Sequence, residues 1–130
     1  MTPSQSLAQD LAELDLIVVL RHAPHGSQWV REGLDVALVA AAFGKRVALL
    51  FQGDGVLSLL TGQQAGPLGQ KGTHPQMAML EMYDIETLWV SGSALAQRGL
   101  MPDDLMLPVR VMDVEDCRAV AHAQLPTLVF

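Results

Sequence analysis

Two uninterrupted apolar runs of five residues stand out along the chain, Leu16–Leu20 (LIVVL) and Val47–Phe51 (VALLF). They are too short for helices and do not alternate, which predicts strands buried on both faces, as in a parallel sheet. Ile85–Val90, Pro108–Met112 and Thr127–Phe130 give three further strands. Helical stretches lie between them. Ser27 caps a helix that runs to Phe43 and stops at Gly44. Pro75 opens another that reaches Tyr83, with Met77 and Leu80 on its apolar stripe beside Met79 and Met82. Ser91–Arg98 forms a short helix closed by Gly99, and Asp113 caps a last one through Ala123. After VALLF come Gln52-Gly53-Asp54-Gly55 and a short helical stretch, VLSLL. The segment from Thr61 to Thr73, TGQQAGPLGQKGT, has no apolar periodicity and reads as a surface loop.

Strands separated by helices at this spacing predict an α/β fold of the flavodoxin-like, three-layer kind, with a mostly parallel five-stranded sheet. Residues 15–130 form the single domain. Residues 1–14 are an N-terminal extension, and the spacing of Leu7, Leu11 and Leu14 predicts an amphipathic helix there. One helix departs from the usual pattern. Val36-Ala-Leu-Val-Ala-Ala-Ala-Phe43 has no polar residue on any side, whereas an outer helix normally keeps one solvated face. Val36, Val39, Ala40 and Phe43 are therefore candidates for a subunit interface.

Composition narrows the function. The 130 residues are 50% apolar and 17% charged, and mean hydropathy is +0.28, which excludes intrinsic disorder. No apolar stretch approaches the roughly 18 residues that suggest a membrane span. The net charge of −6 and the absence of a basic run argue against direct nucleic-acid binding. One cysteine cannot form an internal disulfide, and MTPSQSLAQDLAELD lacks the basic region and apolar core of a secretion signal, so a cytoplasmic location is expected.

Few residues offer chemistry. Cys117 is the only thiol; apolar neighbours at helical spacing and the adjacent Glu115 and Asp116 disfavour its thiolate, so it is expected to be inert. His22 and His25 follow the first strand and Asp54 the second, at the strand ends where parallel sheets bind ligands. Their spacing matches no specific metal motif, and no metal is expected. Arg21-His22 resembles the strand end of histidine phosphatases over two residues, but the next arginine of that motif is missing from the loop and Arg31 falls in the helix. Gly53-Asp54-Gly55 permits a tight turn whose N–H groups could face an anion; the expected role is structural, with Asp54 capping the short helix after it. No nucleotide fingerprint is present, and no cofactor is expected. The flexible methionines, like Trp29 and Trp89, are read as core or interface.

Several segments together resemble the DsrE/DsrF-like sulfur-relay family, in particular its TusC/DsrF type of subunit. They are Ala23-Pro24-His25-Gly26, Arg31-Glu32-Gly33-Leu34-Asp35, and Leu50-Phe51-Gln52-Gly53-Asp54-Gly55-Val56 with Leu59-Leu60 and Gly62-Gln63. Met82-Tyr83-Asp84-Ile85-Glu86, Trp89-Val90, Leu95, Arg98-Gly99-Leu100 and the apolar last strand complete the set, which spans about residues 15–130. The resemblance implies a structural subunit that carries no persulfide cysteine. It would assemble with TusB-like and TusD-like subunits into a heterohexamer that passes persulfide sulfur to a TusE-like acceptor for wobble 2-thiouridine in tRNA. Two features depart from the family: the first 14 residues precede its usual start, and the Gly/Gln segment has no cysteine where a catalytic subunit would present one. The resulting expectation is a non-catalytic relay subunit with no membrane contact. The alternatives are a DsrF-like subunit in sulfur oxidation, or a small phosphatase or hydrolase using His22, His25 and Asp54.

Overall fold

Side-chain alternation in the strands decides the layering. Val18 and Leu20 of the first strand, Val47, Leu49 and Phe51 of the second, and Leu88 and Val90 of the third join one buried cluster; Ile17, Val19, Ala48, Leu50 and Trp89 join another on the opposite face. The computed structural model describes residues 3–23, 28–60, 74–105 and 107–130. Its elements begin with α1 (Pro3–Glu13), β1 (Leu16–Leu20), α2 (Trp29–Ala42), β2 (Val47–Phe51), a 3-10 helix (Gly53–Leu59) and α3 (His74–Met82). Then come β3 (Thr87–Ser91), α4 (Gly92–Gln97), a 3-10 turn (Pro102–Asp104), β4 (Arg110–Met112), α5 (Val114–Ala121) and β5 (Thr127–Val129). All five strands are parallel, in the order β4-β3-β2-β1-β5. Helices α2, α3 and α4 pack on the first face, α1 and α5 on the second. This is the three-layer α/β architecture expected from the sequence.

Three helices stop in the same way. The N–H groups of Lys45, Ile85 and Leu100 reach back to the carbonyls of Ala40, Leu80 and Leu95, at 3.1, 2.9 and 2.9 Å, in Schellman closures. The residue at the left-handed position is Gly44 (φ 84°) after α2 and Gly99 (φ 66°) after α4, but Asp84 (φ 61°) after α3. Because the Ile85 N–H is committed to that closure, β3 starts at Thr87 rather than Ile85. β4 likewise starts at Arg110 rather than Pro108. Ser27 lies outside the described residues, and the N-cap of α2 is Gln28, whose side chain makes no capping bond. The N-terminal extension forms α1, where Leu7 is 2% exposed and joins Leu14, Ile17 and Trp89 in the second cluster.

Candidate functional site

Strand order fixes where a ligand would be met. β1 leads to β2 on one side and has β5 on the other, so the sheet's topological switch lies between β1 and β5, and the carboxyl ends of these strands are the place to look. Four groups gather near that end of the sheet: the 3-10 helix after β2, His22 after β1, Cys117 in α5, and a cavity beside β5.

The 3-10 helix is held by packing against backbone. A Cβ built on Gly55 would lie 1.9 Å from the Leu20 carbonyl oxygen, so no other residue fits there. Gly53 adopts φ 51°, a left-handed conformation that L side chains disfavour. The Gln52 N–H donates to the Leu20 carbonyl at 2.9 Å, which ties the start of the turn to the end of β1. Asp54 does not cap this helix. It sits within the first turn, and its carboxylate pairs with the Arg98 guanidinium at 2.6 Å. That pair uses the charge that the hydrolase reading required of Asp54. His22 stacks on Trp29, with ring centroids 5.4 Å apart and planes inclined by 22°. His25 falls outside the described residues, as does the Gly/Gln segment 61–73. Among the described residues no group of three or more His, Cys, Asp or Glu side chains is placed to hold a metal ion.

Cys117 is half-buried, one turn into α5. Asp113 caps that helix by accepting from the Asp116 N–H at 2.7 Å, and Asp116 accepts in return from the Asp113 N–H. Burial pushes the thiol pKa above its ordinary value, the negative charges of Asp116 and Asp113 push it further, and a hydrogen bond with Gln52 opposes them in part. The thiolate, the nucleophilic form, is therefore suppressed. A cavity of about 280 Å³ opens beside it between α5, β1 and β5, with Val19, Leu50, Val120 and Val129 among its lining.

The interface candidates on α2 divide by burial. Val39 is 57% and Phe43 81% exposed, Val36 is half-buried, and Ala40 packs partly against the core. The wholly apolar stretch thus has a covered side, Ala37 and Leu38, and an open one. The tryptophans also part company: Trp89 is buried and Trp29 half exposed. Sequence reasoning missed the Asp54–Arg98 pair and the cavity by Cys117. The pair spans 44 positions and has no local signal. The cavity sits at the β1/β5 switch, which strand order reveals and periodicity does not.

This is a parallel three-layer α/β domain whose strand-end glycines serve the backbone and whose one thiol has its pKa raised by burial and by Asp116 and Asp113. The chain belongs to the DsrE/DsrF-like family, whose model matches residues 15–130. It is 37% identical over 115 residues to a Protein TusC homolog of Vibrio vulnificus, covering 88% of this chain and 98% of that one. It is 38% identical over 86 residues to the Intracellular sulfur oxidation protein DsrF of Allochromatium vinosum, covering 66% and 63%, and 39% identical over 84 residues to Protein TusC of Shigella flexneri, covering 65% and 71%. The crystal structure of the ychN protein from E. coli matches the fold with a TM-score of 0.73 at 19% identity, over 90% of this chain and 99% of that one.

Proposed function

We propose that the chain is a non-catalytic structural subunit of a cytoplasmic TusBCD-like sulfur-relay complex. It assembles with TusB-like and TusD-like subunits into a heterohexamer, and the complex delivers persulfide sulfur to a TusE-like acceptor for 2-thiouridine in the tRNA wobble position. The observation that carries this reading is the state of the one cysteine in the chain: burial and two neighbouring carboxylates hold Cys117 as a thiol, unsuited to receive sulfur. The similarity to TusC proteins, over 88% of this chain for one and 65% for another, supports the choice of complex. The open side of α2, with Val39 and Phe43 at its centre, is the surface through which a partner is held; Val36 and Ala40 flank it. Gly53, Asp54 and Gly55 shape the loop beside β1.

Co-expression with TusB-like and TusD-like proteins, with transfer of labelled sulfur to a TusE-like acceptor as the readout, tests the reading. Cys117→Ser is expected to assemble and transfer as the unaltered chain does; loss of transfer in an intact complex would overturn the non-catalytic role. A second reading, a DsrF-like subunit in sulfur oxidation, is favoured by the similarity to the Allochromatium vinosum protein. Restoration of tRNA 2-thiouridine in a strain lacking its TusC decides between the two.

A further inference from the structure

The two edges of the sheet are finished differently. β4 carries Arg110, whose guanidinium lies 3.6 Å from the Asp10 carboxylate of α1. A charge on an edge strand deters pairing with another strand. β5 has no such guard: Leu128 and Val129 are exposed, and from Ala119 to Phe130 the chain contains no Asp, Glu, Lys or Arg. Among the described residues, nothing pairs with its backbone on the outer side. The Pro126 carbonyl accepts from the Ile17 N–H at 3.0 Å, and Phe130 donates to the Val19 carbonyl and accepts from the Arg21 N–H, both at 2.8 Å. Alternate residues of the strand thus face β1, and Thr127 and Val129 between them turn their N–H and C=O groups outward. Pro126 stands in the phase that faces β1, so its missing N–H leaves the outer edge untouched.

A second observation adjoins the first. Thr127 and Val129 line the 280 Å³ cavity under α5, together with Val19, Leu50 and Val120. Arg21 and Gln52 also line the cavity, whose wall is otherwise mainly apolar, and an open strand edge beside such a cavity is the arrangement that recognises an extended peptide: main-chain hydrogen bonds hold it, and the cavity selects one side chain.

We propose that β5 is the docking edge for an extended segment of another subunit of the relay complex, which adds a sixth strand and seats one large apolar side chain in the cavity. This inference rests on the reading of the chain as a subunit of such a complex. A second copy of the chain is a poorer occupant, because its own edge offers only Thr127 and Val129 on that face, side chains too small to fill the space. Two copies also bring −6 each, and that like charge opposes their approach.

The test uses the full chain, alone and co-expressed with TusB-like and TusD-like proteins. Val129→Pro deletes an outward N–H and leaves the bonds to β1 in place. Ala121→Phe fills the cavity from the α5 side. Each is expected to weaken assembly roughly tenfold while the isolated chain keeps its circular dichroism. Hydrogen exchange at the Thr127 and Val129 amides of the unaltered chain is expected to slow roughly tenfold on assembly, a readout that stands even if a variant fails to fold. Amides that stay unprotected in the assembled complex overturn the proposal, as do variants that assemble normally. An isolated chain that dimerises with those amides protected assigns the edge to a second copy and overturns the choice of partner. An unaltered chain that binds neither protein overturns the subunit reading itself, and this proposal with it.

Discussion

Arg98, at the C-terminal end of α4, holds Asp54 of the 3-10 helix with one guanidinium nitrogen at 2.6 Å and donates from the other to the Ala94 carbonyl at 2.9 Å. The carboxylate is 59% exposed, and a solvated pair of this kind contributes about 0.2–1 kcal/mol. Asp54→Asn is therefore expected to lower unfolding free energy by no more than about 1 kcal/mol in urea. Loss of assembly with stability unchanged would give Asp54 a binding role instead.

The thiol makes stability depend on pH at the alkaline end. With the folded pKa of Cys117 raised, the unfolded chain loses this proton first as pH rises. The thiol's stabilising contribution is complete below the unfolded value and is lost as pH climbs through the folded one. Urea titrations at about pH 7.5 and about pH 10 should show a larger alkaline loss for the unaltered chain than for Cys117→Ser. Equal losses would show that the thiol is not held protonated by the fold. Alkylation by iodoacetamide near neutral pH should also be slower than for a free cysteine.

On α2 the structure separates two neighbouring positions. Val39→Glu points into solvent and is expected to leave circular dichroism and melting nearly unchanged while abolishing co-purification with partner subunits. Ala40→Glu pushes a carboxylate against the core side and should destabilise the chain by about 1–3 kcal/mol. If Val39→Glu and Phe43→Ser both assemble normally, this face is not an interface.

The extension should be part of the folded unit, although the family match begins after it. Leu7 is packed against the α5 side of the sheet, and Leu7→Ala is expected to cost about 2–4 kcal/mol, read as a lower urea midpoint with unchanged slope. A loss under about 0.5 kcal/mol would show that α1 does not hold its place on the sheet.

Ser58 is fully buried in the 3-10 helix, and its hydroxyl finds no hydrogen-bond partner among the described residues. Removing an unsatisfied hydroxyl of this kind should help the fold, so Ser58→Ala is expected to raise stability by about 1 kcal/mol by thermal unfolding. A drop of similar size would mean the hydroxyl is bonded after all.

What could be read from the chain tracked burial and local chemistry. β1 and β2 matched to the residue because strands covered on both faces write themselves as unbroken apolar runs. Gly44, Gly99 and the Asp113 cap announced helix ends for the same local reason. Asp84 did not, because an aspartate taking the left-handed position carries no glycine signal, and Ile85 was consequently assigned to a strand it does not enter. The apolar stretch of α2 was legible as unusual for an outer helix, yet only packing shows that Val39 is exposed and Ala40 partly covered. At the site, the raised pKa of Cys117 was legible from Glu115 and Asp116 in general terms, but the carboxylates that act on it are Asp116 and Asp113, which the capping geometry brings round. The Arg98 partner of Asp54 depended on the tertiary approach of α4 to the 3-10 helix, which nothing nearby in the sequence encodes.

The Schellman closures after α2 and α3 have a consequence for how such a domain can change over time. Each leads within a few residues into the next strand, so that end of the sheet is stitched by hydrogen bonds back into the preceding helix and leaves little slack for inserted residues. The connections from β1 to α2 and from the 3-10 helix to α3 are longer, and there new loops can be accepted without re-registering a strand. Duplicated copies of this fold can therefore acquire different chemistry at one end while inheriting the same mutual register at the other.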